Sequence, residues 1–98
     1  MCVLTLFPGG LVFAQQLAIS GAVRDSAGGA IEGTTVLLRA RNSERNARTD
    51  AAGQYRFDGV AAGEYELSFS REGFEVQTRT VNLAGESREE DAMLTPTG

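Results

Sequence analysis

The chain of 98 residues has no His, no Lys and no Trp, and its one Cys is Cys2. Each gap removes a class of chemistry. Without His there is no imidazole base for a Ser or Cys nucleophile, and no imidazole ligand for zinc. Without Lys there is no side-chain amine for an internal isopeptide crosslink. A single Cys makes neither an internal disulfide nor a thiolate metal cluster, so cysteine usage leaves the redox compartment open. With nine Arg against thirteen Asp and Glu, the net charge is −4 and the pI about 4.7, which argues against a nucleic-acid or anionic-membrane footprint.

Gly is plentiful at 12 residues, and most of these separate short apolar runs. That is the punctuation of an all-β chain. The organising stretch is Thr49–Phe69, T-D-A-A-G-Q-Y-R-F-D-G-V-A-A-G-E-Y-E-L-S-F. Tyr55 and Phe57 share one parity. Tyr65, Leu67 and Phe69 share another, opposite Glu64, Glu66 and Ser68. Period two marks strands with one buried and one wet side. Burying Tyr65, Leu67 and Phe69 is worth roughly 2 kcal/mol each. A one-residue slip would bury Glu64 and Glu66 unpaired at several kcal/mol each, which fixes the register.

Met1–Ala14 is uncharged and too short to span a bilayer, which needs about 18 apolar residues. It reads as the hydrophobic part of a secretory signal cut after Ala14. No basic residue precedes Arg24, so the expectation includes a truncated start; the alternative, a greasy first strand, is opposed by Pro8-Gly9-Gly10. Residues 15–94 then form one domain, small enough that nearly every large apolar side chain must be buried.

Within it, Leu17–Arg24 reads as the first strand, with Leu17, Ile19, Gly21 and Val23 on one face. Asp25–Gly33 reads as a loop and Thr34–Arg41 as the second strand, with Val36 and Leu38 on one side. Asn42–Ala47 reads as a solvated loop tip. Ala51-Ala52-Gly53 reads as a type I turn closed by a left-handed Gly. Phe74–Leu83 reads as a long strand whose parity changes, reconciled by a β-bulge near Gln77–Thr80. Ser87–Leu94 reads as a weak last strand, with Ala92 and Leu94 on one face and Met93 on the other. Thr95–Gly98 reads as the start of a linker. The fold expected is an antiparallel two-sheet sandwich of about seven strands.

Ile19–Leu38 (I-S-G-A-V-R-D-S-A-G-G-A-I-E-G-T-T-V-L-L), Thr49–Phe57 (T-D-A-A-G-Q-Y-R-F) and Val60–Phe74 (V-A-A-G-E-Y-E-L-S-F-S-R-E-G-F) resemble the opening, middle and closing motifs of the carboxypeptidase regulatory-like family. The resemblance covers Leu17 to about Leu83. It implies a seven-stranded, Greek-key-type, prealbumin-like sandwich, also described as carbohydrate-binding-like. The pattern usually carries Pro where this chain has Glu32, which predicts a looser turn there. In bacteria, the resemblance further implies, such a module after a signal peptide often opens a TonB-dependent outer-membrane receptor, ahead of its plug and barrel.

No residues are assigned to catalysis, cofactor binding or metal binding, and any ligand-binding residues are left unknown. Ser20, Ser26, Ser43, Ser68, Ser70 and Ser87 read as strand-surface or turn residues. Tyr55, Phe57, Tyr65, Phe69 and Phe74 all fall on inward parity, which leaves no platform for stacking a sugar. Glu89-Glu90-Asp91 and Asp25 do not match a calcium loop. Arg39, Arg41, Arg45 and Arg48, with Glu44 and Asp50 close by, read as a mixed solvated face. The expected function is a non-catalytic exported module, a spacer or protein-interaction domain in the periplasm or at the outer membrane. The alternatives are a free-standing secreted glycan- or surface-binding domain, or an accessory domain of a secreted peptidase. The expected partner is protein, with glycan as the weaker option and nucleic acid excluded.

Overall fold

The computed structural model describes residues 16–97. The signal expected over residues 1–14 lies outside them. The described residues form eight strands and no helix: β1 (Leu17–Asp25), β2 (Thr35–Ala40), β3 (Ser43–Arg48), β4 (Gln54–Val60), β5 (Gly63–Ser70), β6 (Gln77–Leu83), β7 (Arg88–Glu89) and β8 (Ala92–Leu94). One sheet runs β3-β2-β5-β6. In the other, β1 is central, with β4 on one side and β7 followed by β8 on the other. The expected two-sheet sandwich is therefore present.

The inward parity residues meet between the layers. Ile19, Val23, Tyr55, Phe57 and Leu94 come from one sheet, and Val36, Leu38, Leu67, Phe69, Val81 and Leu83 from the other; all are buried. Tyr55 joins the layers edge-to-face, its ring centroid 5.6 Å from Phe69 and 6.1 Å from Phe57. Such pairs contribute about 0.5–1.5 kcal/mol beyond their buried area. Tyr65 packs against this core only half-buried, its hydroxyl donating to the Ala61 carbonyl at 2.8 Å.

Five elements differ from the sequence expectation. Asn42–Ala47, expected as a loop tip, is mostly strand: β3 pairs antiparallel with β2 from Thr35↔Arg48 to Ala40↔Ser43. It is an edge strand, almost wholly exposed, so it needs no apolar alternation and shows none. The turn before β4 has Gly53 at φ 75°, as expected, with its N–H donating to the Asp50 carbonyl at 2.8 Å. It links β3 and β4 across the two sheets rather than closing a hairpin within one.

Phe74–Leu83 is not one bulged strand. The β5–β6 register is unbroken from Gly63↔Leu83 to Phe69↔Gln77. The parity change arises because the chain joins the sheet only at Gln77. Phe74 bridges to Pro96, and Val76, expected to share its face, is 61% exposed. The register shift of the fold lies elsewhere, between Leu17 and Ile19 of β1 opposite Val60 and Phe57.

Ser87–Leu94 divides into β7 and β8, with Ala92 and Leu94 buried and Met93 exposed as expected. Both pieces run parallel to β1, pairing Ile19↔Arg88 and Val23↔Ala92, where an antiparallel fold was expected throughout. Thr95–Thr97, expected to begin a linker, instead lies along Gly73–Glu75: the Glu75 N–H donates to the Thr95 carbonyl at 2.9 Å, and the Thr97 N–H to the Gly73 carbonyl at 3.0 Å.

Where the chain passes from β1 to β2, Thr49 is buried and pins the crossing. Its hydroxyl donates to the Ile31 carbonyl at 2.6 Å and accepts the Thr34 N–H at 2.8 Å. The neighbouring Thr34 hydroxyl is buried without a partner. Two near-isosteric substitutions should therefore diverge. Thr49→Val strands a buried donor and acceptor and is expected to cost about 1–3 kcal/mol, whereas Thr34→Val should be neutral or stabilising. Urea denaturation midpoints of the two variants check this.

Candidate functional site

The most densely bonded polar region lies where the last strand crosses β1. Between β7 and β8 the chain turns the Glu90 carbonyl toward Gly21, an inward-facing position of β1. A Cβ built on Gly21 would stand 2.0 Å from the Glu90 oxygen and 3.0 Å from the Tyr55 ring. Glycine is required here for close backbone approach rather than for an unusual φ. The Tyr55 hydroxyl donates to that same carbonyl at 2.5 Å, so this inward-turned backbone acceptor is satisfied. The Glu90 N–H donates to the Ser20 carbonyl at 2.8 Å.

Side chains complete the junction. Asp91 Oδ1 accepts the Ala22 N–H and Ser87 Oγ accepts the Ala18 N–H, each at 2.8 Å. Arg79 reaches across from β6, donating to the Asp91 carbonyl at 2.7 Å and pairing with the Glu90 carboxylate at 3.3 Å. Arg88 pairs with the other Glu90 oxygen at 2.9 Å. Gln77 of β6 donates to the Met93 carbonyl. Burial pushes the Tyr55 phenol up from its ordinary value; the Glu90 carboxylate adds to this, and Arg79 opposes it.

The remaining candidates disperse. In the acidic run Glu89-Glu90-Asp91, Glu90 is taken up by these ion pairs and Asp91 by the Ala22 N–H, while Glu89 is exposed, and among the described residues no group of His, Cys, Asp or Glu is placed to hold a metal ion. Asp25 turns inward on its own loop, Oδ1 accepting the N–H groups of Ala27 and Gly29 at 3.0 and 2.8 Å. The arginines expected to form one solvated face do different things. Arg39 pairs with Glu44 at 2.7 Å and Glu66 at 3.4 Å. Arg45 lies 5.5 Å from the Phe57 ring centroid and donates to the Asp58 carbonyl at 2.8 Å, holding β3 against β4. Arg79 lies 5.6 Å from the Phe69 centroid on the other flank. Each thus covers one open side of the sandwich with a cation–π contact. Sequence reasoning missed both; their inward strand parity was the available signal.

A cleft of about 560 Å³ beside the junction is lined by Ser20, Arg24, Arg48, Arg56, Glu89 and Asp91 among others. Its charges are of both signs. The aromatics lie elsewhere: Tyr55, Phe57 and Phe69 are buried, and Tyr65 and Phe74 are packed on the core.

Comparison with known proteins fits this geometry. The sequence pattern of the carboxypeptidase regulatory-like domain matches residues 18–95. The chain belongs to that family. It is a non-catalytic domain family, in keeping with a chain whose densest polar cluster is spent on backbone groups. No curated protein sequence is similar enough to match.

Among solved structures, the chain superimposes on catechol 1,2-dioxygenase of Acinetobacter radioresistens with a TM-score of 0.71 at 15% identity, covering 87% of this chain and 53% of the enzyme. The major pilin subunit BcpA of Bacillus cereus gives 0.69 at 13%, covering 84% and 30%. The Bacillus anthracis TIE protein gives 0.68 at 14%, covering 84% and 17%. At such identities the likeness is one of fold. The chain spans about half of the dioxygenase and less of the other two. In this member of the family the expected Pro is Glu32, yet the turn is made. Its carbonyl accepts the Arg71 Nε–H at 3.0 Å, and the Gly33 N–H donates to the Thr49 carbonyl at 3.0 Å.

The junction makes two measurable claims. Gly21→Ala forces backbone apart and is expected to cost about 1–3 kcal/mol or more, by the logic of overpacking, with the last strand losing amide-exchange protection first. The second concerns pH. The folded state holds Tyr55 protonated above the unfolded pKa of about 10, so this contribution is fully present below pH 10 and is lost as pH climbs beyond it. Tyr55→Phe should lower stability by about 1 kcal/mol at neutral pH and flatten the alkaline decline, as read by urea midpoints from pH 7 to 11.

Proposed function

We propose that this domain is a non-catalytic, in-line spacer of an exported protein. In this reading it is the N-terminal periplasmic domain of a TonB-dependent outer-membrane receptor, and its partners are proteins of the cell envelope. The observation that carries the spacer role is the parallel pairing of β1 with β7 and β8. Because the first and last strands point the same way, Leu17 lies at one end of the sandwich and Leu94 at the other. A domain with that geometry adds its own length to a chain that runs through it; nine residues of β1 at about 3.3 Å each give roughly 30 Å.

Other features support the same reading. The aromatic side chains fill the space between the sheets, and no His or Lys is present to support nucleophilic or amine chemistry. The uncharged apolar run over residues 1–14 supports export. The likeness to BcpA and TIE, each several times longer than this chain, supports use of the fold as one module in a longer protein. The receptor context rests on the family resemblance and the signal-like run together.

The test is to read the gene beyond Gly98 and to fractionate cells that make the whole protein. A reading frame encoding a plug and barrel, with the protein in the outer-membrane fraction, is expected. A stop codon in undisturbed sequence, with no such frame following, would refute the receptor role. A glycan array probed with the chain is expected to be blank; reproducible polysaccharide binding would favour a secreted binding domain instead.

A further inference from the structure

We propose that β1 and the β7–β8 segment form a shear clamp, giving the domain a further function: carrying tension applied between its two ends. The argument is directional. Pulling on Gln16 draws β1 along its axis toward its N-terminus, and pulling on Thr97 draws the parallel last segment the opposite way along the same axis. Every bond between them is then loaded together. In an antiparallel pairing of terminal strands, the ladder would open one bond at a time from one end.

The bonding is continuous where the ladder itself is interrupted. Backbone pairing covers Ile19↔Arg88 with Ser20↔Glu89, and then Val23↔Ala92 through Asp25↔Leu94. Around and between these stretches, side chains supply the missing links: Ser87 Oγ to the Ala18 N–H and Asp91 Oδ1 to the Ala22 N–H, each at 2.8 Å. The last segment is also tied from two other strands. Tyr55 of β4 donates to the Glu90 carbonyl at 2.5 Å, and Arg79 of β6 to the Asp91 carbonyl at 2.7 Å. Sliding the segment would also drive the Glu90 carbonyl off Gly21, the one position on the inner face of β1 without a Cβ, toward Ile19 or Val23. Both are fully buried, so the sliding path is sterically blocked as well as bonded.

Only the biological use of such a clamp depends on the spacer reading. The mechanics are a property of the strands and can be measured whatever follows Gly98, so one can fail without the other.

Force spectroscopy on the full chain tests it, with Gln16→Cys in a Cys2→Ser background as one handle, so that the attachment stays on the domain when the segment ending at Ala14 is cut. The second handle is Gly98→Cys for end-to-end loading, or Glu86→Cys in the exposed turn before β7 for loading from one end of the ladder. The rupture force, which reports the unfolding rate under load, should be roughly twofold or more higher end-to-end. Asp91→Ala, in the middle of the ladder, should lower the end-to-end force and leave the Glu86-loaded force unchanged, whereas Ser87→Ala, at the end next to Glu86, should lower both. Urea melts of the two handle variants confirm equal stability before comparison. Equal rupture forces in the two geometries, or a force that Ser87→Ala and Asp91→Ala both leave unmoved end-to-end, would overturn the proposal.

Discussion

The close approach of the Glu90 carbonyl to Gly21 is the constraint on which the β1 sheet depends. It requires an inward-facing residue with no side chain, in a strand whose other inward positions are Leu17, Ile19 and Val23. It requires a donor inside the core, because an inward-turned carbonyl cannot be left unbonded, and the Tyr55 hydroxyl supplies it. It also requires the ladder to break between β7 and β8, and Asp91 closes that break by taking the Ala22 N–H with its side chain. Tyr55 thus has two roles, a ring in the aromatic cluster with Phe57 and Phe69 and a hydroxyl that holds the last strand.

The two arginines on the flanks solve a related problem. A sandwich of two open sheets leaves gaps along both sides, where core aromatics would meet water. Arg45 and Arg79 lay their guanidinium groups near Phe57 and Phe69 and send hydrogen bonds to carbonyls of the opposite sheet. Arg suits this better than Lys, because a planar, weakly hydrated cation can pack on a ring and donate in several directions at once. A chain whose nine basic residues are all Arg has this option at every such position.

Polar groups that sequence alone would mark as reactive are bonded within the junction. Glu90, Asp91, Ser87 and Tyr55 would draw attention in a sequence as an acid, a base or a nucleophile, yet each is engaged with backbone or with an ion pair. The family is named after a peptidase, but the domain it describes is an accessory one, and the fold is shared with an enzyme and a pilin alike.

The sequence by itself determined the two-layer β architecture, the inward set of aromatics and the buried parity of Ala92 and Leu94. Those follow from period-two burial, which is local and energetically steep: a slip buries glutamates. It also made the Asp25–Gly33 loop and the Ala51-Ala52-Gly53 turn legible, because the Asp25 and Asp50 bonds that close them reach only a few residues along the chain. Tertiary structure alone decided that β3 is a strand, since an exposed edge carries no apolar pattern, and that Phe74–Val76 leave the sheet before Gln77. It alone decided that the last strand runs parallel to the first. Strand direction depends on how the chain crosses between layers, and Gly21, Tyr55, Glu90 and Asp91 lie too far apart in sequence for any local pattern to show that they meet.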